Sequence, residues 1–131
     1  MILPELGAYL VAQGIGTLAT DLFLGFLPDT PDDCVVLYEY GGLASEHTFK
    51  ATPGAAWENP RVQIVARAKV YNTGRTKIEN TYKKLDGLIN TTMTGVRYLG
   101  IFAIQSPFFL DRDERGRNKF AFNAQVMKEL S

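Results

Sequence analysis

The sequence holds one thiol and one imidazole, Cys34 and His47, the pair best suited to nucleophilic catalysis. Such a pair needs a thiolate. Cys34 stands in the apolar run Cys34-Val35-Val36-Leu37, where desolvation disfavours that charge, so it reads as a buried core thiol. Zinc or iron needs several Cys, His and carboxylate ligands at set spacings, which one Cys and one His cannot supply. Asp111, Asp113 and Glu114 begin like a calcium loop, but Arg115, Gly116 and Arg117 follow and no distal Glu stands at the required distance. Mixed charges of this kind suit a solvated hairpin tip. No acid pair has the support that glycoside chemistry needs. Gly14-x-Gly16 lacks the third glycine of a dinucleotide fingerprint and follows a helical pattern instead of a strand. P-loop and Gly-x-Ser-x-Gly sequences are absent. The expectation is a non-enzymatic protein with no catalytic, cofactor-binding or metal-ligating set.

The frame around these residues is that of an ordinary globular chain. Its 131 residues fit one domain, 1–131, and need no disulfide or metal to fold. Hydrophobic residues make up 46% and charged residues 21%, which argues against disorder. A lone cysteine closes no internal disulfide, so nothing signals an oxidising compartment. The chain does not open on a basic stretch followed by an apolar core and cleavage site. No stretch approaches the ~20 apolar residues of a membrane span. Asn90-Thr91-Thr92 matches a glycosylation sequon and, with no secretion signal, is read as chance.

The net charge of zero conceals a split. Residues 1–49 carry Glu5, Asp21, Asp29, Asp32, Asp33, Glu39 and Glu46 and no Lys or Arg. Residues 50–131 hold all 14 Lys and Arg and the remaining acids. Either both halves share one sheet and the charges cancel inside the monomer, or an acidic face of one subunit meets a basic face of the next. Arg61, Arg67, Lys69, Arg75 and Lys77 are spread over a strand and a helix start. That spread argues against tight nucleic-acid binding, though some could line a pore that DNA crosses.

Periodicity predicts a helix over 3–13, with Leu3, Leu6, Leu10 and Val11 on one face and Gly14 past its end. Strands are predicted over 20–26 (Leu22, Leu24 and Phe26 on one face, Phe23 on the other), 34–40 and 61–70, with a Pro- and Asp-rich turn over 27–33. In the third strand Val62, Ile64, Ala66, Ala68 and Val70 point one way, and Gln63, Arg67 and Lys69 the other. Residues 41–60 show no period and read as a long loop whose aromatics, Phe49 and Trp57, either fold onto the core or dock on a partner. A second helix is predicted to about Asn90, with Ile78, Tyr82, Leu85 and Ile89 inward. The capping-box spacing of Thr76 and Glu79 starts it near 77; an earlier start falls near Asn72. Strands over 96–105 and 118–127 complete the chain, and Asp111–Arg117 forms a charged tip with Gly116 at positive φ. This gives an α+β fold with about five strands in a mixed sheet and two helices on one face.

Three stretches together resemble the minor capsid and tail-terminator (neck) proteins of long-tailed bacteriophages. They are Asp21-Leu22-Phe23-Leu24-Gly25-Phe26-Leu27-Pro28-Asp29; Pro60-Arg61-Val62-Gln63-Ile64 with Arg67; and Gln105-Ser106-Pro107-Phe108 running into Asp111-Arg112-Asp113, Gly116-Arg117 and Asn123. The likeness spans nearly the whole chain and is carried by turn and strand patterns. It implies a virion protein, assembled in the host bacterial cytoplasm, that forms a ring, usually a hexamer, at the head–tail junction. The ring ends the tail tube and joins it to the head-side connector. Its implied partners are further copies of itself, the tube protein and the connector or stopper protein, with genome DNA passing through unread. A head-completion or connector protein, or a small nucleic-acid-binding module, is the alternative. Under this likeness the 41–60 segment and the 111–117 tip become contact elements, giving Trp57, Arg61, Phe49, Asp111, Arg112, Arg115 and Arg117 as interface candidates. Trp and Arg are over-represented at interface hot spots; the other reading of Trp57 is core packed under the loop.

Overall fold

The computed structural model describes residues 1–46 and 57–129. The order is α1 (Ile2–Ala12), β1 (Leu22–Leu24), β2 (Cys34–Glu46), β3 (Trp57–Ala68), α2 (Tyr71–Leu85), β4 (Leu88–Met93), β5 (Val96–Ala103), β6 (Phe108–Arg112) and β7 (Asn118–Glu129). One mixed sheet runs β1-β2-β3-β7-β5-β4, with β6 also paired to β7. Among the described strands, β1 and β2 pair in parallel and the other pairs are antiparallel. The expected α+β class and the two helices on one face are present, with seven strands among the described residues where about five were expected.

Alternation decides which face each residue takes. Val62, Ile64 and Ala66 of β3 and Phe120, Phe122, Ala124 and Val126 of β7 point to the helices. There they meet Ile2, Leu6 and Leu10 of α1 and Ile78 and Leu85 of α2 in the main core. Gly74 lets α2 approach closely: a Cβ there would stand 2.9 Å from the Phe120 ring. A second, smaller cluster lies on the opposite face, where Phe23, Cys34 and Val36 are covered by Leu27 and Tyr38. Cys34 is fully buried, and that burial raises its thiol pKa.

Several element boundaries differ from those expected. Residues 41–46 continue β2 and 57–60 begin β3, so the expected 41–60 loop shrinks; its residues 47–56, with His47 and Phe49, lie outside the described residues. Bulges after Tyr40 and after Leu43 disguise the strand period there. Gly42 sits in the first bulge, where a Cβ would come within 2.2 Å of the Asn59 carbonyl oxygen. Helix α2 starts at Tyr71, earlier than the capping box implied, because Thr76 and Glu79 already lie inside it. It stops at Leu85. Asp86 turns extended and Gly87 takes φ 82°, placing its N–H on the Ile101 carbonyl. Ile89, expected on the inner helix face, is instead 66% exposed in β4. Thr94 and Gly95, both at positive φ, close the β4–β5 hairpin. Val70 and Phe26, expected on inner faces, are exposed just beyond the ends of their strands.

Helix α1 is tied to the sheet by a buried ionic group. Lys128 Nζ lies 3.1 Å from Glu5 Oε1 and 3.1 Å from Glu58 Oε1. The Tyr98 hydroxyl donates to Glu5 at 2.6 Å, and the Met1 amino group lies 3.0 Å from the other carboxylate oxygen. Burial works to raise the Glu5 carboxyl. The Tyr98 hydroxyl, the Met1 amino group and Lys128 outweigh it, and the net shift is downward. Burial and the Glu5 contact push the Tyr98 phenol well above its ordinary range.

Candidate interaction surfaces

The charged tip is built around one carboxylate. Asp113 Oδ1 accepts from the amides of Arg115 at 3.0 Å and Arg117 at 2.9 Å, and its Oδ2 accepts from Arg117 Nε at 2.7 Å. Burial alone would raise the Asp113 pKa, but these bonds hold it below the usual carboxylate value. Gly116 supplies φ 74°, as the turn requires. Both Asp113 carboxylate oxygens are therefore committed to N–H donors within the tip.

The tip is also locked to the 28–33 turn. Arg117 pairs with Asp29 at 3.4 Å and Asp32 at 3.3 Å and donates to the Asp29 carbonyl; Arg115 reaches Asp29 at 3.0 Å. Arg67, 2% exposed, donates to the backbone carbonyls of Asp32, Asp29 and Pro31. Three arginines thus hold one turn over the sheet end. Much of the charge split is accordingly used inside the monomer: Asp29, Asp32 and Glu5 of the first half meet Arg115, Arg117 and Lys128 of the second. Of the interface candidates on this hairpin, Arg117 is only 6% exposed and serves as an internal tie. Asp111 pairs with Lys119 at 3.1 Å, Arg112 bonds Asn118, and both remain exposed, as does Arg115.

Trp57 and Arg61 lie toward the other end of the sheet. Trp57 pairs with Glu46 and Glu129, while Ala68 at the far end of β3 pairs with Asn118. The eleven residue-to-residue steps along β3 put its ends about 35 Å apart. Trp57 is half-buried, and its Nε1 finds no acceptor among the described residues. Arg61 donates to the Gly41 carbonyl at 2.6 Å and stacks over the Tyr40 ring at 5.1 Å, bracing the bulged β2–β3 arm. The arm exposes Tyr40 and Leu43.

A third surface escaped the sequence reading. Opposite the helices, the sheet is covered near β1 and β2 but open over β5 and its neighbours. Phe102 is 53% exposed and Ile104 52%. With Leu99, Gly100, Gln125 and Met127 they line a groove of about 380 Å³. The Phe102 ring lies over Gly100, where a Cβ would stand 2.5 Å from it. Ile89 pairs with Gly100 on this same face. The signal lay in β5 and the residue after it: Leu99, Ile101, Phe102 and Ile104 are apolar on both faces, as in a strand covered on both sides.

The fold and these surfaces define an α+β domain whose one sheet is backed by helices on one side and open over β5 and its neighbours on the other. The family model described as "Bacteriophage tail terminator protein" matches residues 9–130, and the chain belongs to that family. Its fold is also similar to that of a chain in the "Virion of native gene transfer agent (GTA) particle". The TM-score is 0.52 and the identity 12%, over 85% of this chain and 80% of that one. No curated protein sequence matches it. A bacteriophage structural tail protein, carried in the virion, is the function that the family supports.

Proposed function

We propose that the protein is a non-enzymatic tail-terminator subunit that assembles, in the host cytoplasm, into a hexameric ring at the head–tail junction. The ring covers the last ring of the tail tube, which stops polymerisation, and then presents a docking face to the head-side connector or stopper. The observation that carries this reading is the family match over 9–130, which favours a terminator over a connector-side protein. The open sheet face supports self-assembly. Its lining, Leu99, Phe102, Ile104, Gln125 and Met127, is uncharged, as a permanent contact between copies requires. The Tyr40–Leu43 arm is a different surface on the same molecule. Contact between unlike surfaces is head-to-tail and closes into a ring when the rotation permits. The charged tip and the Trp57 end, at opposite ends of β3, are then available to face the head and the tube.

The test is electron microscopy of phage made without this protein. Overlong tails without heads are expected. Normal-length tails beside filled, tailless heads would replace the terminator by a connector-side role, and intact particles would overturn the structural reading. Phe102→Asp, at an exposed site, is expected to leave stability within about 0.5 kcal/mol of wild type while abolishing ring assembly.

A further inference from the structure

The cations among the described residues divide cleanly by what they touch. Arg75, Arg97, Arg115, Arg117, Lys119 and Lys128 are in ion pairs. Arg61, Arg67 and Arg112 are hydrogen-bonded within the fold. Lys69, Lys77, Lys83 and Lys84 have no ion-pair partner among the described residues. All four belong to α2 or the two residues before it.

Helix α2 buries Gly74, Ile78, Thr81 and Leu85 against the sheet. Its outer side carries Asn72, Thr73, Thr76, Lys77 and Asn80, which line a shallow polar groove, followed by Lys83 and Lys84. Asn72, Thr76, Asn80 and Lys84 fall at i, i+4 spacing in one row. The single acid of the helix, Glu79, is held by Arg75 at 2.8 Å. The net charge of zero is therefore balanced elsewhere, and this face keeps uncompensated positive charge beside short hydroxyl and amide side chains. Lys with Ser, Thr and Asn are the side chains that contact phosphate oxygens without reading bases.

We propose that the outer face of α2 is the surface that tracks the phosphate backbone of duplex DNA as it passes the ring. This rests on the ring reading above. The contact is electrostatic and independent of sequence. A subunit that neutralises three or four phosphates shows a log–log salt slope of about −3, and so loses about 60-fold in affinity for a fourfold rise in salt.

The experiment is fluorescence anisotropy of labelled duplexes of two unrelated sequences, from about 50 to about 200 mM salt. It compares wild type with the triple variants Lys77→Glu/Lys83→Glu/Lys84→Glu and Lys77→Gln/Lys83→Gln/Lys84→Gln. The neutral set adds no repulsion that could disturb folding. Wild type is expected to bind both duplexes alike with the steep slope, and both variants to lose binding. Absence of wild-type binding at low salt, or neutral-variant binding with an unchanged slope, overturns the proposal. In particles, the neutral variant is expected to give normal-length tails joined to heads. Overlong tails from it would mean that these lysines meet an acidic protein surface, which overturns the DNA assignment and leaves the terminator role standing. Failure of the terminator role itself reads out separately, in particles lacking the protein.

Discussion

Removing the Lys128 ammonium tests the buried ionic group directly. The Lys128 side chain is fully buried, and the Glu5 carboxylate 3.1 Å away is 7% exposed. Lys128→Met keeps the bulk of the side chain and leaves that carboxylate with less than its counter-charge. Breaking a buried pair costs about 3–5 kcal/mol. The Tyr98 hydroxyl still donates to Glu5, which places the expected loss near the lower end, about 3 kcal/mol. Glu58 is 36% exposed, so water solvates it and it adds little. With an ordinary dependence on urea, the midpoint falls by about 1–2 M. Glu5→Gln/Lys128→Met removes both charges and is expected to recover most of the loss, a coupling of about 2 kcal/mol in a double-mutant cycle. The pH dependence has a definite sign. The Glu5 pKa is lowered in the folded protein, so its contribution is present above the unfolded carboxylate value and fades as pH falls through the folded one. Without Lys128 the buried carboxyl takes a proton more readily, so the deficit of Lys128→Met is largest at neutral pH and shrinks in acid. A loss below about 1 kcal/mol, strict additivity, or a deficit that grows in acid would refute this account.

Arg117→Ala should destabilise the fold by about 2–3 kcal/mol, since it takes the guanidinium from Asp113 Oδ2 and releases the 28–33 turn, and Arg117→Lys should not rescue it because an ammonium cannot span the same acceptors. Thermal unfolding checks this; an unchanged midpoint with lost assembly would return Arg117 to the interface. The Cys34 thiol, buried and raised in pKa, should react with a disulfide reagent only when urea opens the fold. Stoichiometric reaction in native buffer would place the thiol at the surface.

Local pattern was enough for the α+β class, for α1, and for the inward faces of β3 and β7, because alternation and helical spacing report burial directly. Gly116 and the acids around it also marked the β6–β7 tip, since turn chemistry is local. Turn and strand patterns carried the family likeness. The rest depended on pairing between distant residues. Ile89 continues the helical spacing of Ile78, Tyr82 and Leu85, yet it lies in β4, because Gly87 bonds Ile101 and turns the chain into the sheet. The bulged half of β2 exists because β3 is there to pair with it. Nor does sequence spacing reveal that Arg117, 88 residues from Asp29, is an internal tie, or that Lys77, Lys83 and Lys84 lack ion-pair partners among the described residues while every arginine is paired or hydrogen-bonded. Ion pairs form between residues that the fold brings together, so tertiary structure alone decides which charges cancel and which remain to meet another molecule.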